Sequence, residues 1–281
     1  MTWRAPLLAA AAAVVVLAAC GGSSSGGSPR GSGPPRAPTG ADEVVLRVSL
    51  SGGFVRPAPS NAFPEVTLYG DGRVITRGPS TLQYPGPALA NLVEFRLDEE
   101  GIRHVLRSAA DAGVLDPRPP DFGRLIAADV PSTFVTVRAD GARHRVSVFG
   151  LGLDPKDRKD LSDEQRTNRE RLRKLVAEVG DSGALRPFVQ PGTERRYAPT
   201  AVAVFVSPAG TADGPTHAWP LPDFAATDCA VYDGADAATV LAAARTANDG
   251  DVWEAAGATY TVAFRPLLPD ERTCADLSRR P

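Results

Sequence analysis

The sequence predicts an α+β protein. The expected architecture is an antiparallel sheet built from two Asp-Gly hairpins with helices packed on one face, plus a smaller disulfide-linked α+β C-terminal domain. Three observations predict it. Apolar-alternating segments flank Asp71-Gly72 and again Asp140-Gly141, and Asp-Gly tolerates the positive φ that a tight hairpin turn requires. Two stretches of helical period start at residues that cap helices, Asp98 and Ser162. Finally, Cys229 and Cys274 form an even pair late in the chain. The 281 residues are 43% hydrophobic, enough to bury a real core.

The chain opens with a short positive segment, Met1-Thr2-Trp3-Arg4. An unbroken apolar run follows from Leu7 to Ala19. This is a signal-peptide pattern, shorter than the ~20 residues of a spanning helix. The run closes on Leu17-Ala18-Ala19-Cys20, which resembles the lipobox of bacterial lipoproteins. That resemblance implies a diacylglyceryl thioether on Cys20, cleavage before it, and often acylation of the new amine. Two or more acyl chains give stable anchoring where one gives only marginal binding. The alternatives are a secreted protein with an incidental Cys20, or an uncleaved short membrane segment. Residues 1–19 are thus expected as the signal peptide and 20–41 as a lipid-anchored, disordered tether. The Gly/Ser/Pro composition of 21–40 buries too little apolar area to offset the entropy of ordering it.

A first domain is expected over 42–186. Val44, Leu46, Val48 and Leu50 alternate as a strand that Ser51-Gly52-Gly53 breaks. Glu65–Tyr69 and Arg73–Arg77 flank the first Asp-Gly. A strand near Val93–Leu97 leads to a helix capped by Asp98, with Glu99 and Glu100 complementing the dipole of its first turn. Ile102, Val105, Leu106 and Ala109 form its apolar stripe, and Gly113 is its left-handed terminator. Thr133–Arg138 and Arg143–Phe149 make the second hairpin. Ser162-Asp163-Glu164-Gln165 matches a capping box for a helix to Val179, which buries Leu172, Leu175, Val176 and Val179. Gly180 ends it. Such a set is most simply satisfied by an antiparallel sheet with helices on one face.

Turn residues and charges over Pro187–Pro199 suggest a boundary, and 187–281 is expected as the second domain. It holds a strand at Ala201–Val206, a loop with His217 and Trp219, and a helix near Asp236–Ala247 burying Val240, Leu241 and Ala244. Strands at Val252–Glu254 and Thr259–Phe264 follow. In an exported protein the Cys229/Cys274 pair implies a disulfide, and Cys274 would tie the tail to the start of the helix.

Function is less legible. Charges nearly cancel, 31 basic against 33 acidic, without the basic patch or stripe of a nucleic-acid binder. Among three histidines, His104 lies off its helix stripe and is expected in solvent. His144 shares phase with Val146 and Val148 at a core edge. His217, beside Trp219, is the best placed of the three for a ligand contact, with a structural role the first reading. No His-x-His, H-E-x-x-H or Cys-x-x-Cys pattern suggests zinc, and no G-x-S-x-G or S-x-x-K nominates a serine. Gly150-Leu151-Gly152 lacks the third glycine and helix of a dinucleotide loop. Asp129, before the Pro131-started strand, is expected to bond its own turn and is the first candidate if carboxylates cut glycans. Arg166, Arg169 and Arg173 are expected on a solvated, salt-bridged helix face.

The stretch Glu65–Val74, the helix after Leu97 and Asp129-Val130-Pro131-Ser132 resemble uncharacterised bacterial envelope domains. Arg265-Pro266-Leu267-Leu268-Pro269-Asp270-Glu271 with the Cys229/Cys274 pair resembles uncharacterised actinobacterial lipoproteins. This implies a lipid-anchored exported protein and transfers no activity. The expectation is a non-enzymatic binding or interaction module on the outer face of the cell membrane. It would be held there by lipid on Cys20, need no cofactor, and have an envelope protein or small ligand as partner. A carboxylate hydrolase and a structural or assembly lipoprotein are the alternatives.

Overall fold

The computed structural model describes Met1 and residues 33–54, 58–80, 82–155, 159–212, 214–225 and 227–278. Cys20 lies outside them, as do the expected signal peptide after Met1 and the tether up to residue 32. The chain divides into Met1–Gly33 and Pro34–Pro281, and the architecture below is that of the second unit.

Seven strands form the first sheet: β1 (Val44–Gly52), β2 (Val66–Tyr69), β3 (Arg73–Arg77), β4 (Leu92–Arg96), β5 (Pro131–Ala139), β6 (Ala142–Phe149) and β7 (Arg195–Arg196). They run in the order β6-β5-β1-β2-β3-β4-β7, with every pair antiparallel. One face is apolar because the strand period puts Leu46, Val48, Val135, Val137, Val146 and Val148 on the same side. Two helices cover that face, α1 (Glu99–Asp111) through Val105, Leu106 and Ala109, and α2 (Asp163–Val179) through Leu172, Leu175 and Val179. Each such leucine or valine contributes roughly 1.5–3 kcal/mol of burial free energy. The α+β class, the two hairpins and the placement of the helices are as the sequence predicts.

Both helices start at the expected caps. Asp98 Oδ1 accepts from Gly101 N at 2.7 Å. Ser162 and Gln165 exchange both capping-box bonds, at 3.2 and 2.9 Å. The two Asp-Gly turns, however, differ. Asp140 and Gly141 both take positive φ, 52° and 75°, in a two-residue connection. At the first hairpin only Gly72 is left-handed, with φ 85°, in the three-residue connection Gly70-Asp71-Gly72. There Asp71 Oδ1 accepts from Arg73 N at 3.0 Å. A Cβ on Gly72 would stand 2.3 Å from the Leu97 carbonyl oxygen, so close approach of β4 also requires glycine.

The segment expected as the end of the tether is built into this sheet. Arg36 N donates to Asp140 Oδ1 at 3.1 Å, Asp140 N donates back to Arg36 O at 2.9 Å, and Ala37 packs on the core. Arg36 and Ala37 therefore pack on the body ahead of the expected domain start at Asp42. The expected boundary at 187–199 is likewise part of the first sheet: Phe188 packs against α1, and β7 pairs with β4.

The second sheet holds β8 (Ala201–Pro208), β9 (Thr216–Ala218), β10 (Ala230–Asp233), β11 (Val252–Ala255) and β12 (Ala258–Pro266), in the order β10-β8-β12-β11-β9. Its β9–β11 pair is parallel. The helix α3 (Gly234–Ala244) packs Ala237, Val240, Leu241 and Ala244 against Val202, Val204, Trp253 and Phe264. Strands β7, β9 and β10 and the short helix α4 (Cys274–Ser278) were not predicted. A third apolar cluster joins Tyr69, Ile75 and Leu92 of the first sheet to Phe63, Tyr197 and Leu268, and Tyr197 donates to Leu267 O at 2.8 Å. This cluster lies on the face of the first sheet opposite its helices.

Candidate functional site

The same alternation that buries Leu46 and Val135 turns Arg47 and Ser49 of β1, and Phe134, Thr136 and Arg138 of β5, away from the helices. Register places Arg47 beside Thr136 and Thr136 beside Arg145, with Arg138 directly opposite Arg143. The C-terminal segment after β12 and the loop 61–65 wall this surface into a groove of about 880 Å³, lined by Arg47, Phe63, Thr136, Arg138, Arg143 and Glu271 among others.

Two ion pairs build the wall. Arg47 Nη2 lies 2.7 Å from Asp270 Oδ1, the Tyr69 hydroxyl donates to the same oxygen at 2.8 Å, and Arg47 Nε donates to Thr67 Oγ1 at 3.1 Å. Burial pushes the Asp270 carboxyl up, but the Arg47 bond and charge and the Tyr69 hydroxyl outweigh it and hold the group below its usual range. Burial, then the Asp270 charge, drives the Tyr69 hydroxyl well above its ordinary value. In the second pair Arg265 Nη2 meets Glu271 Oε1 at 2.9 Å, and Glu271 Oε2 accepts from Leu268 N at 2.7 Å. Burial raises the Glu271 carboxyl and lowers the Arg265 guanidinium. The guanidinium stacks on Phe63, 3.7 Å from the ring centroid, a cation–π contact. Arg265 Nε is buried without a hydrogen-bond partner among the described residues. Both oxygens of Glu271 and one of Asp270 are thus committed to the fold.

Of the residues singled out from sequence, His217 and Trp219 both lie against Trp253. His217 Nε2 is 2.8 Å from Asp251 Oδ2, which also accepts from Asn248 N at 2.9 Å. The imidazole leans on Trp253 at 5.0 Å, and Trp219 meets Trp253 edge-on at 5.9 Å. Trp219 is buried and donates Nε1–H to Asp223 O at 3.2 Å. Among the described residues no hydroxyl or thiol bonds to this imidazole, so the His–Asp pair pins the turn at 248–251 onto β9. Asp129 is exposed, at φ 58°, in the turn before β5, and is not among the residues lining the groove. Cys229 and Cys274 are joined, with S–S 2.04 Å, and tie the start of β10 to α4. Cys20 is outside the described residues.

Two expectations about charged side chains change. His104 is not simply solvated: it bonds Glu178 at 2.6 Å and stacks on Phe188. Arg169 is buried, and donates to the carbonyls of Phe122 at 2.6 Å and Phe149 at 3.1 Å. Loop 122–123 and the end of β6 fold over α2 and enclose it. Arg166 and Arg173 do make the expected helix-surface pairs, with Asp163 and Glu170.

The sequence reasoning did not anticipate the groove. One signal was available. Arg265 interrupts the apolar end of β12, and a charge there needs a buried partner. Among the described residues no group of three or more His, Cys, Asp or Glu is placed to hold a metal, and no helix is long and apolar enough to cross a membrane. Set against known proteins, the chain matches no family model, no curated protein and no solved structure.

Proposed function

We propose that this protein is a non-enzymatic binding module, anchored by lipid on Cys20 to the outer face of the cell membrane, with the groove on the first sheet as its binding surface. The anchor rests on Leu17-Ala18-Ala19-Cys20 closing an apolar run too short to span. One observation carries the binding reading. The groove has the volume of a small-ligand cleft, at the upper part of the usual ~300–1,000 Å³ range, while its two wall acids are tied up in ion pairs. Such a surface offers recognition without a free acid–base pair.

Metabolic labelling with palmitate tests the anchor. The wild-type chain takes up label, and Cys20→Ser loses both label and membrane association. A variant that stays in the membrane fraction refutes the anchor. Incubation of the purified protein with cell-wall fragments tests the rest, and no fragment release is expected.

A second reading has one observation in its favour. Burial raises the Glu271 carboxyl while its neighbour Asp270 is lowered, and carboxylates whose environments push them apart are the pattern of an acid and its partner. A hydrolase of this kind would use Glu271 and Asp270 rather than Asp129. Fragment release abolished in a folded Glu271→Gln variant would establish it.

A further inference from the structure

Arg138 and Arg143 are directly opposite on β5 and β6, so their Cβ atoms stand about 5 Å apart on one face. Like charges so placed oppose pairing rather than support it. Both side chains are exposed and line the groove, and neither meets a carboxylate among the described residues. The nearest acid in sequence, Asp140, accepts from the backbone N–H of Arg36 instead. Several other arginines do meet carboxylates: Arg47 with Asp270, Arg103 with Glu99, Arg173 with Glu170, Arg195 with Glu94. What sets Arg138 and Arg143 apart is that they face each other directly across the strand pair. Thr136, two residues from Arg138 on the same face, is roughly 7 Å along the strand.

Resting on the binding-module reading, we infer that this end of the groove binds a phosphate group, clamped by Arg138 and Arg143 with the Thr136 hydroxyl as a further donor. Guanidinium forks match both carboxylate and phosphate bidentately. Two forks and a hydroxyl supply more donors than the two oxygens of a carboxylate can use, whereas a terminal phosphate presents three anionic acceptor oxygens. Charge-assisted bonds to a bound phosphate would also relieve the repulsion between the opposed arginines. The phosphate has two sources in a membrane-apposed protein, a soluble phosphorylated compound or a phosphomonoester lipid headgroup, and both present the same terminal phosphate to the clamp.

The test is calorimetric titration of the full-length protein in neutral detergent with inorganic tripolyphosphate and, separately, with dihexanoylphosphatidic acid. Saturable binding of at least one probe is expected, and preference for one identifies the source. Arg138→Gln/Arg143→Gln should weaken it by roughly tenfold or more. Arg186→Gln, an exposed arginine on the 3-10 turn before β7, should leave it unchanged, and circular dichroism should match across the variants. Absence of binding to both probes, or binding that the double variant retains in full, overturns the clamp. That failure is distinguishable from failure of the binding-module reading, which falls only if Cys20 is unlabelled or cell-wall fragments are cut.

Discussion

Removing one member of the Arg265–Glu271 pair probes whether the groove wall is held as described. The side chains are 2% and 9% exposed, so Glu271→Gln leaves a guanidinium charge buried without its counter-charge. Breaking such a pair costs about 3–5 kcal/mol. At roughly 2–4 °C per kcal/mol for a body of this size, the midpoint should fall by on the order of 10 °C. Arg265→Met strands the carboxylate and should cost a similar amount. The double variant Arg265→Met/Glu271→Gln removes both charges, while the glutamine carbonyl can still accept from Leu268 N, now bonded at 2.7 Å. It should be more stable than either single variant, with a coupling energy of about 3 kcal/mol. Urea titration followed by tryptophan fluorescence measures the cycle, since Trp253 and Trp219 are buried in the adjoining sheet. A Glu271→Gln cost under about 1 kcal/mol, or a double variant as unstable as the sum of the singles, would refute the buried-pair argument.

Two further outcomes follow from the geometry. Cys229 and Cys274 are 45 positions apart, and closing a loop of that length removes about 4 kcal/mol of chain entropy from the unfolded state; replacing both by serine should therefore lower the urea-derived stability by about that amount, and an unchanged denaturation midpoint would contradict it. The Asp270 carboxyl is depressed in the folded protein, so its contribution to stability is fully present above the unfolded carboxylate value near 3.8 and is lost as pH falls through the folded value. Glu271 has the opposite sign, since its raised carboxyl favours the folded state at low pH and loses that contribution as pH rises through the folded value. The difference between wild type and Asp270→Asn isolates the first effect: it should shrink as the solution is acidified below about pH 4. A gap constant from pH 7 to pH 2 would remove Asp270 from the acid limb.

What the chain determines by itself is what a few neighbouring residues decide. Asp98 caps α1 through a bond three residues away, Ser162 and Gln165 reciprocate across one turn, and Asp140-Gly141 can turn a hairpin with both φ positive. Each is a local choice of backbone conformation, so residue type and spacing suffice. The even count left by Cys229 and Cys274, and the period-2 phase of Leu46 and Val48, are legible for the same reason. Strands β9 and β10 span three and four residues, too short for alternation to register; β9 exists because β11 pairs beside it. The groove is further from local control. Arg47 and Asp270 are 223 positions apart, and nothing near either residue names its partner. Only the packing of the C-terminal segment across the outer face of the first sheet brings them within 2.7 Å. On the other face, loop 122–123 and the end of β6 bury Arg169 where the sequence pattern placed a solvated arginine. Side-chain period decides which way a residue faces, but desolvation and long-range pairing depend on what the rest of the chain lays over that face.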